Sequence, residues 1–215
     1  MDRWTPSARP WPTWPLAPPE LRGLGLRCQA VRPPLLPPGG IQAWLIGWDD
    51  QQETSSAAKS RWLLLSQQEQ QRWQQIGTQR GRIRFAASHA ARNALLGSDP
   101  RRQYVSLSHT DGLAVVVAAH VPIGVDVESD RPRHRWPTID RFRWPEDPAR
   151  SWTEFIQRWV AWEAGYKARG GASAASAETT AVDAVVGLVS DRKVSHDHVI
   201  ALAWASAQPA LASST

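Results

Sequence analysis

The alternation of apolar and polar positions predicts strands and helices between residues 41 and 206. Short runs rich in Val, Ile, Leu and Ala predict strands at 41–48, 103–107, 113–119, 123–128, 182–189 and 198–205. Apolar residues at helical spacing predict helices at 66–76, 79–96 and 154–169. The first begins with the capping-box pattern Ser66-Gln-Gln-Glu69, the second ends at Gly97, and Thr153 is the expected N-cap of the third. The order of strand, helices, strands, helix and strands indicates an α+β architecture.

The remaining segments lack such a pattern. Ten of the 17 prolines fall within residues 1–40, so we expect an irregular arm there, packed on the folded body through its tryptophans or serving as a motif for a proline-binding domain. The polar stretch 49–60 and the Ala/Ser/Thr-rich stretch 172–181 are expected loops. Residues 131–144 predict a basic loop or a short helix, and 207–215 a loose tail.

Composition narrows the class of protein. A chain of 215 residues is one large or two small folding units. The net charge of +5 comes mostly from arginine, and the only lysines are Lys59, Lys167 and Lys193. An arginine-rich balance suits phosphate or carboxylate partners but does not choose among nucleic acid, nucleotide and acidic protein. A single cysteine gives no disulfide, and no apolar run resembles a signal peptide or a membrane span, so we expect a cytoplasmic protein with no membrane association, as a monomer.

Two carboxylates share one face of a predicted strand. In Ile123-Gly-Val-Asp-Val-Glu128, the apolar residues alternate with Asp126 and Glu128, so both acids point to the same side. Two such carboxylates form half of a magnesium site, because Mg²⁺ prefers oxygen ligands. The alternative is an ordinary solvent-facing strand edge.

A second acidic group stands on the last predicted helix. Glu163 and Lys167 are one helical turn apart, which is the spacing of a surface ion pair. The aromatic residues of the same helix indicate that much of it is buried, and a buried Glu and Lys need a partner or a function. His109 lies in Ser-His-Thr-Asp-Gly, expected to be a turn between two strands, where a histidine is usually only solvated.

Three motifs in this order resemble those of the Sfp-type 4′-phosphopantetheinyl transferases. They are S-H-T-D-G at 108–112, G-V-D-V-E at 124–128 and W-V-A-W-E-A-G-Y-K at 159–167, and the resemblance covers roughly residues 63–205. It implies a pseudo-dimer of two similar α/β subdomains, here 41–118 and 119–206, with coenzyme A and magnesium in the cleft between them. It also implies transfer of the phosphopantetheine arm of coenzyme A to a serine of an apo carrier protein, releasing adenosine 3′,5′-bisphosphate.

The resemblance assigns roles to residues. Asp126, Glu128 and Glu163 would be the magnesium ligands. Apart from the resemblance, the transfer needs a group that takes the serine proton; Glu163, or a water that it holds, is one candidate, and the sequence alone does not identify the base. Lys167 would contact the pyrophosphate or assist the leaving group. His109 would touch a coenzyme A phosphate. Arg84 and Arg92 would contact the nucleotide. Because carrier proteins are typically acidic, Arg131, Arg133 and Arg135 are an expected docking surface for the carrier; the alternative is a solvated basic loop.

The chain departs from the family pattern at several positions. Trp162 stands where the family has Lys before the metal-binding Glu, and the G-K-P element is missing between Gly97 and Val105. His89 stands where Arg is common, and Arg92 falls one residue early. These departures favour a relative that binds coenzyme A or a carrier without turnover, whereas the intact acids and Lys167 favour an enzyme. A nucleic-acid-binding protein is a third hypothesis, supported by charge alone.

Overall fold

The computed structural model describes residues 13–14, 21, 23–31, 41–48, 55–97, 104–170, 182–190 and 197–205. Within these ranges the chain forms eight strands and five helices, an α+β arrangement. In chain order they are β1 (Thr13–Trp14), β2 (Arg27–Val31), β3 (Ile41–Gly47), α1 (Ser55–Leu64), α2 (Gln67–Gln75), α3 (Gln79–Leu96), β4 (Tyr104–Thr110), β5 (Leu113–Ala119), β6 (Ile123–Ser129), α4 (Trp136–Arg143), α5 (Trp152–Ala168), β7 (Val182–Ser190) and β8 (Asp197–Ala205). None of the described helices is long and apolar enough to cross a membrane.

The strands form two antiparallel sheets. The first has the order β1-β2-β3-β5-β4 and the second the order β6-β8-β7. A tight turn at Asp111-Gly112 joins β4 to β5, and Gly112 has a φ of 71°, a backbone angle that glycine adopts without strain. In the second sheet β6 pairs with β8 so that Asp126 stands opposite Ala201.

The two sheets pack face to face, and each carries a helix on its outer face. Because side chains alternate along a strand, one face of β3, β5, β6 and β8 is apolar and forms a shared core. Its largest members include Ile41, Leu45, Leu113, Val115, Val125, Val127, Ile200, Leu202 and Trp204. On the outer face of the first sheet α3 packs through Ile83, Ala87, Ala91 and Leu95. On the outer face of the second sheet α5 packs through Phe155, Ile156, Val160, Ala164 and Ala168.

Helix α5 approaches β6 very closely at Gly124. A Cβ atom at Gly124 would lie 1.9 Å from the carbonyl oxygen of Ala164 and 2.5 Å from the amide nitrogen of Ala168. Only a residue without a side chain permits this separation. The close packing sets the distance between the acidic strand β6 and the side chains of α5.

The structure confirms most predicted elements and corrects four. The helix predicted at 79–96 has those bounds, and Ser66 and Glu69 form the predicted capping box of α2. The expected loop at 49–60 is wrong from residue 55, where α1 begins. The expected irregular arm is wrong at 13–14 and at 27–31, which form β1 and β2. Helix α5 begins at Trp152, capped by Ser151 rather than by Thr153.

For the basic segment 131–144 the sequence favours either a loop or a short helix, and the structure has the short helix α4 there. The expected turn at Ser-His-Thr is wrong, because these residues continue β4 as far as Thr110. The predictions for 172–181, for 207–215 and for most of 1–40 concern residues outside the described ranges.

Candidate functional site

A cavity of about 590 Å³ lies where β4, β6 and the C-terminal half of α5 meet. Five of the residues singled out by motif line it: Asp126, Glu128, Glu163, Lys167 and His109. They come from three separate segments of the chain. The remaining wall is formed by His89 and Arg92 of α3, by residues 105–108 of β4, and by Ile123, Val127 and Gly170.

Two serines of β4 attach this strand to β6. The Val125 N–H donates to Ser106 Oγ at 3.0 Å, and the Val127 N–H donates to Ser108 Oγ at 3.3 Å. Ser108 Oγ in turn donates to Asp126 Oδ1 at 2.7 Å. The role of these two serines was not predicted from the sequence. Their spacing of two residues, just before His109, does indicate that both side chains lie on the same face of a strand.

Asp126 lies at the centre of the site. It is only 2% exposed, so the alternative of a solvent-facing strand edge is wrong for this residue. Its Oδ1 accepts from Lys167 Nζ at 2.7 Å, and the same ammonium donates to the Val125 carbonyl oxygen at 3.1 Å. Lys167 therefore pairs across to β6 rather than with Glu163 along its own helix. Asp126 Oδ2 is buried and has no hydrogen-bond partner among the described residues.

The other two carboxylates face this buried charge. Burial raises the pKa of Glu163 to about 7. The charge of Asp126 and a side-chain hydrogen bond between Glu163 and Asp126 reinforce the rise, while Lys167 opposes it. Burial also raises the pKa of Glu128, although Arg133 donates to Glu128 Oε2 at 2.7 Å and acts in the opposite direction. A carboxyl that titrates near neutrality can both accept and release a proton at physiological pH, as general acid–base chemistry requires.

His109 stands beside the acidic group on the wall of the cavity. It belongs to β4, opposite Ala114 of β5, and is half-buried rather than solvated in a turn. Burial lowers the pKa of His109, and the positive charge of Arg84 lowers it further. The imidazole is therefore neutral at pH 7. Its Nδ1 is buried and finds no hydrogen-bond partner within the described part of the chain.

The two arginines predicted to contact a nucleotide differ in position. Arg92 lines the cavity, where its guanidinium is held by Glu69 and donates through Nε to Asn93 Oδ1 at 3.0 Å. Arg84 is not among the lining residues, and its guanidinium pairs with Asp111 in the β4–β5 turn.

Glu69 is the centre of a polar cluster that the sequence did not reveal. Its Oε1 lies 2.6 Å from His89 Nδ1, and the His89 ring stacks on Phe85 with a centroid distance of 3.9 Å. Burial alone would raise the pKa of Glu69, but hydrogen bonds from the Ser66 N–H, His89 and Asn93 outweigh it and lower the pKa to about 2. The carboxylate is thus ionised at all physiological pH values and fixes His89 and Arg92 on the cavity wall.

The acidic side chains have the donor chemistry of a divalent-cation site. Three carboxylates converge on one cavity, two of them have raised pKa values, and one buried oxygen of Asp126 lacks a partner. Oxygen donors of this kind suit Mg²⁺. As the side chains lie, however, no group of three His, Cys, Asp or Glu in the described ranges is spaced to hold a metal ion. Lys167 and Arg133 instead supply the positive charge beside Asp126 and Glu128.

No family model matches the chain, and no curated protein matches its sequence.

Proposed function

We propose that the protein is a 4′-phosphopantetheinyl transferase of the Sfp type, which moves the phosphopantetheine arm of coenzyme A to a serine of an apo carrier protein in the cytoplasm. The observation that supports this most is the convergence of Asp126, Glu128, Glu163, Lys167 and His109 on one cavity. The three motifs that supply these residues are far apart in the sequence. If their resemblance to the family motifs were accidental, there would be no reason for their side chains to line the same cavity.

The proposal includes the pseudo-dimeric fold of that family, with halves at 41–118 and 119–206. Each half contains an antiparallel sheet with a helix on its outer face, α3 in the first and α5 in the second. The apolar inner faces of both sheets share one core. The cavity lies at the junction of the halves, because β4 belongs to the first and β6 and α5 belong to the second.

Magnesium is part of the proposal, with Asp126, Glu128 and Glu163 as its ligands. A divalent cation at this position would neutralise the pyrophosphate of coenzyme A and the charge that develops on the leaving group. To bind it, Asp126 and Glu128 would exchange part of their present pairing with Lys167 and Arg133 for cation contacts.

The residues of the chain have separate tasks in the proposed reaction. The serine oxygen of the carrier attacks the phosphorus next to the pantetheine, the bond to the bridging oxygen breaks, and adenosine 3′,5′-bisphosphate departs. Glu163, directly or through a water that it holds, takes the serine proton. Lys167 is placed to stabilise the negative charge of the departing phosphate. His109 and Arg92 would orient the nucleotide part of coenzyme A.

The carrier protein is the second substrate of the proposal. Carriers of this kind are acidic, and the segment that follows β6 is basic, with Arg131, Arg133 and Arg135 all exposed. Opposite charge speeds the encounter of two proteins and fixes their orientation.

A second candidate function is binding of coenzyme A or a carrier without turnover. It is favoured by the pairing of Lys167 with Asp126 and of Arg133 with Glu128, which balances the acidic charge without a cation. Trp162 in place of the family lysine favours it as well. Both functions share the same ligands, so only a measurement of transfer separates them.

The decisive experiment is incubation with apo carrier proteins, coenzyme A and Mg²⁺, followed by intact-mass measurement of the carrier. We expect a mass gain of one phosphopantetheine group that disappears on chelation. Removal of a general acid–base or charge-stabilising group typically costs about 10²–10⁴-fold in rate, so Glu163→Gln and Lys167→Ala should lose activity on this scale.

The matched control variants are Glu146→Gln and Lys59→Ala. Both residues are exposed and outside the cavity, and these variants should transfer at the wild-type rate. Binding of coenzyme A with no mass gain on any carrier would instead establish the second candidate function.

A further inference from the structure

Glu69 holds two residues of the cavity wall through one carboxylate oxygen. It belongs to α2, and its Oε1 reaches α3, where it contacts both the Arg92 guanidinium and Nδ1 of His89, the latter at 2.6 Å. Its other oxygen, Oε2, accepts from the Ser66 N–H at 2.8 Å and from Asn93 Nδ2 at 2.9 Å. Both oxygens are therefore engaged, and the carboxylate is held rigidly against α3.

The contact with Glu69 decides the tautomer of His89. An ionised carboxylate only accepts hydrogen bonds, so Nδ1 of the ring carries the proton, and Nε2 of the neutral ring is an acceptor. Burial lowers the pKa of His89; the hydrogen bond to Glu69 opposes the fall, and the charge of Arg92 adds to it. The ring is thus neutral at pH 7. Its Nε2 has no hydrogen-bond partner among the residues that the structure describes.

Arg92 places a donor beside this acceptor. His89 and Arg92 are three residues apart on α3, so their side chains share one face of the helix, and both line the cavity. Arg92 uses Nε and Nη2 for Asn93 Oδ1 and Glu69. Its remaining nitrogen, Nη1, has no partner within the described ranges. The α3 wall therefore offers the cavity an acceptor and a donor side by side.

The charge of this pair favours an uncharged ligand group. The positive charge of Arg92 is balanced by the Glu69 carboxylate in direct contact, and His89 is neutral. A phosphate, which mainly accepts hydrogen bonds, would meet one donor but would also face the lone pair on Nε2. The complementary group is a planar edge that carries an N–H donor next to an acceptor.

Coenzyme A has such an edge on its adenine ring. The 6-amino group donates and the ring nitrogen beside it accepts, both on the same side of the base. The two amides of the pantetheine arm do not fit, because the N–H and C=O of a trans amide point in opposite directions. Adenine is therefore the part of coenzyme A that matches His89 and Arg92.

We propose that Glu69 is a positioning residue that fixes His89 and Arg92 to recognise the adenine edge of coenzyme A. His89 Nε2 accepts from the 6-amino group, and Arg92 Nη1 donates to the neighbouring ring nitrogen. This inference rests on the proposed function and specifies which part of coenzyme A faces α3. It also makes His89, which stands where Arg is common in the family, a specificity-determining residue.

The test is calorimetric binding of adenosine 3′,5′-bisphosphate and of inosine 3′,5′-bisphosphate, in which a 6-oxo acceptor replaces the 6-amino donor. The wild type should bind the adenine compound about tenfold tighter or more, because a matched pair of hydrogen bonds at a base edge discriminates on this scale. This ratio should fall to about threefold or less in His89→Phe and in Glu69→Gln, which lose the matched pair.

The two variants act at different atoms. His89→Phe keeps an aromatic ring against Phe85 but has no acceptor. Glu69→Gln sets an N–H₂ group against one of the donors that surround the carboxylate, so His89 is no longer held in one tautomer. A merely structural role of Glu69 would weaken the binding of both compounds equally and leave their ratio unchanged.

His120→Phe and Glu146→Gln are the matched controls, because both residues are exposed and lie outside the cavity. They should keep the wild-type ratio. Nitrogen-15 NMR of the ligand-free protein gives a separate readout, in which His89 Nε2 should show the chemical shift of an unprotonated imidazole nitrogen.

Equal binding of the two compounds by the wild type, an unchanged ratio in both variants, or a protonated Nε2 would overturn the inference. If phosphopantetheine were still transferred, the proposed function would stand without it. Conversely, a protein that shows the expected ratio but modifies no carrier would support the recognition of adenine and refute the transferase.

Discussion

Replacement of Gly124 by alanine tests whether the contact between β6 and α5 builds the site. The added Cβ would lie 1.9 Å from the Ala164 oxygen and 2.5 Å from the Ala168 nitrogen. Ordinary contacts between carbon and a carbonyl oxygen are about 3.3 Å or longer, so α5 and β6 must separate by more than about 1 Å. Both opposing atoms belong to the backbone of a helix, and no side-chain rotation can relieve the overlap.

The cost of this change follows from the packing. Overfilling a close-packed core costs about 1–3 kcal/mol, and a rigid backbone contact should place Gly124→Ala at the upper end, about 3 kcal/mol. For a chain of this size, that corresponds to a fall of about 6–12 °C in the melting temperature. The same displacement would stretch the 2.7 Å contact between Lys167 and Asp126, and misplacing catalytic groups by about 1 Å can reduce a rate by about 10²-fold.

The assay is urea unfolding followed by tryptophan fluorescence, together with the transfer reaction. Gly77→Ala is the matched control, because a Cβ at Gly77 has no neighbour within 4 Å. It should be neutral or slightly stabilising. If Gly124→Ala were as stable and as active as Gly77→Ala, the tight approach of α5 to β6 would not determine the geometry of the site.

Three further predictions concern charge. Glu163→Gln should stabilise the metal-free protein by about 1–2 kcal/mol at pH 8 and hardly at all below pH 4.5. The pKa of Glu163 is raised from 4.5 to about 7, so its ionised form destabilises the folded state at high pH, whereas the protonated form at low pH does not. The full shift corresponds to about 3 kcal/mol, and water at the half-buried carboxyl reduces this value. The same stability change at both pH values would contradict this assignment. Arg133→Gln should raise the affinity for Mg²⁺ by about threefold to tenfold in calorimetry, since Glu128 no longer has to leave its ion pair, while Arg135→Gln serves as the control and should have a smaller effect. Glu69→Gln should lower the free energy of unfolding by about 2 kcal/mol at pH 7. This loss of stability relative to the wild type should shrink as the pH falls from 4.5 towards 2, because the wild-type carboxylate is protonated there as well. A loss of stability that does not change with pH would refute the role of the Glu69 charge.

The sequence predicted those helices and strands whose buried positions follow a regular apolar pattern along the chain. Helix α3 has apolar residues on one face and a glycine at its end, and β5 is a continuous apolar run, so both follow from periodicity. Helix α1 was missed because one of its most buried side chains is an arginine. Arg61 is 2% exposed and donates to the Leu24 oxygen at 2.7 Å, and a buried arginine breaks the apolar stripe that marks a helix. Strand β2 was missed because its stability comes from pairing with β3, a long-range contact.

The sequence predicted which residues form the site but not the hydrogen bonds and ion pairs between them. Motif spacing identified Asp126 and Lys167, yet their pairing depends on the approach of α5 to β6, which no local pattern encodes. A surface ion pair between Glu163 and Lys167, the alternative that their spacing left open, is geometrically possible on an isolated helix. The buried Asp126 is the stronger competitor for the ammonium, because a charge taken from water requires a partner. Similarly, the burial of His109 depends on the length of β4, which the turn residues alone did not define.

The hydrogen bonds from Arg61 to the Leu24 and Gly25 carbonyl oxygens, just before β2, limit how far the N-terminal end of this protein can be shortened. Trimming the proline-rich start back to residue 40 would remove two strands from the larger sheet and strip the guanidinium of the Leu24 and Gly25 carbonyl oxygens that receive it. A shortened version designed on proline content alone would therefore expose the edge of β3 and remove two hydrogen bonds of the buried Arg61. Because β1 pairs with β2, a truncation that keeps the whole sheet should end before Thr13.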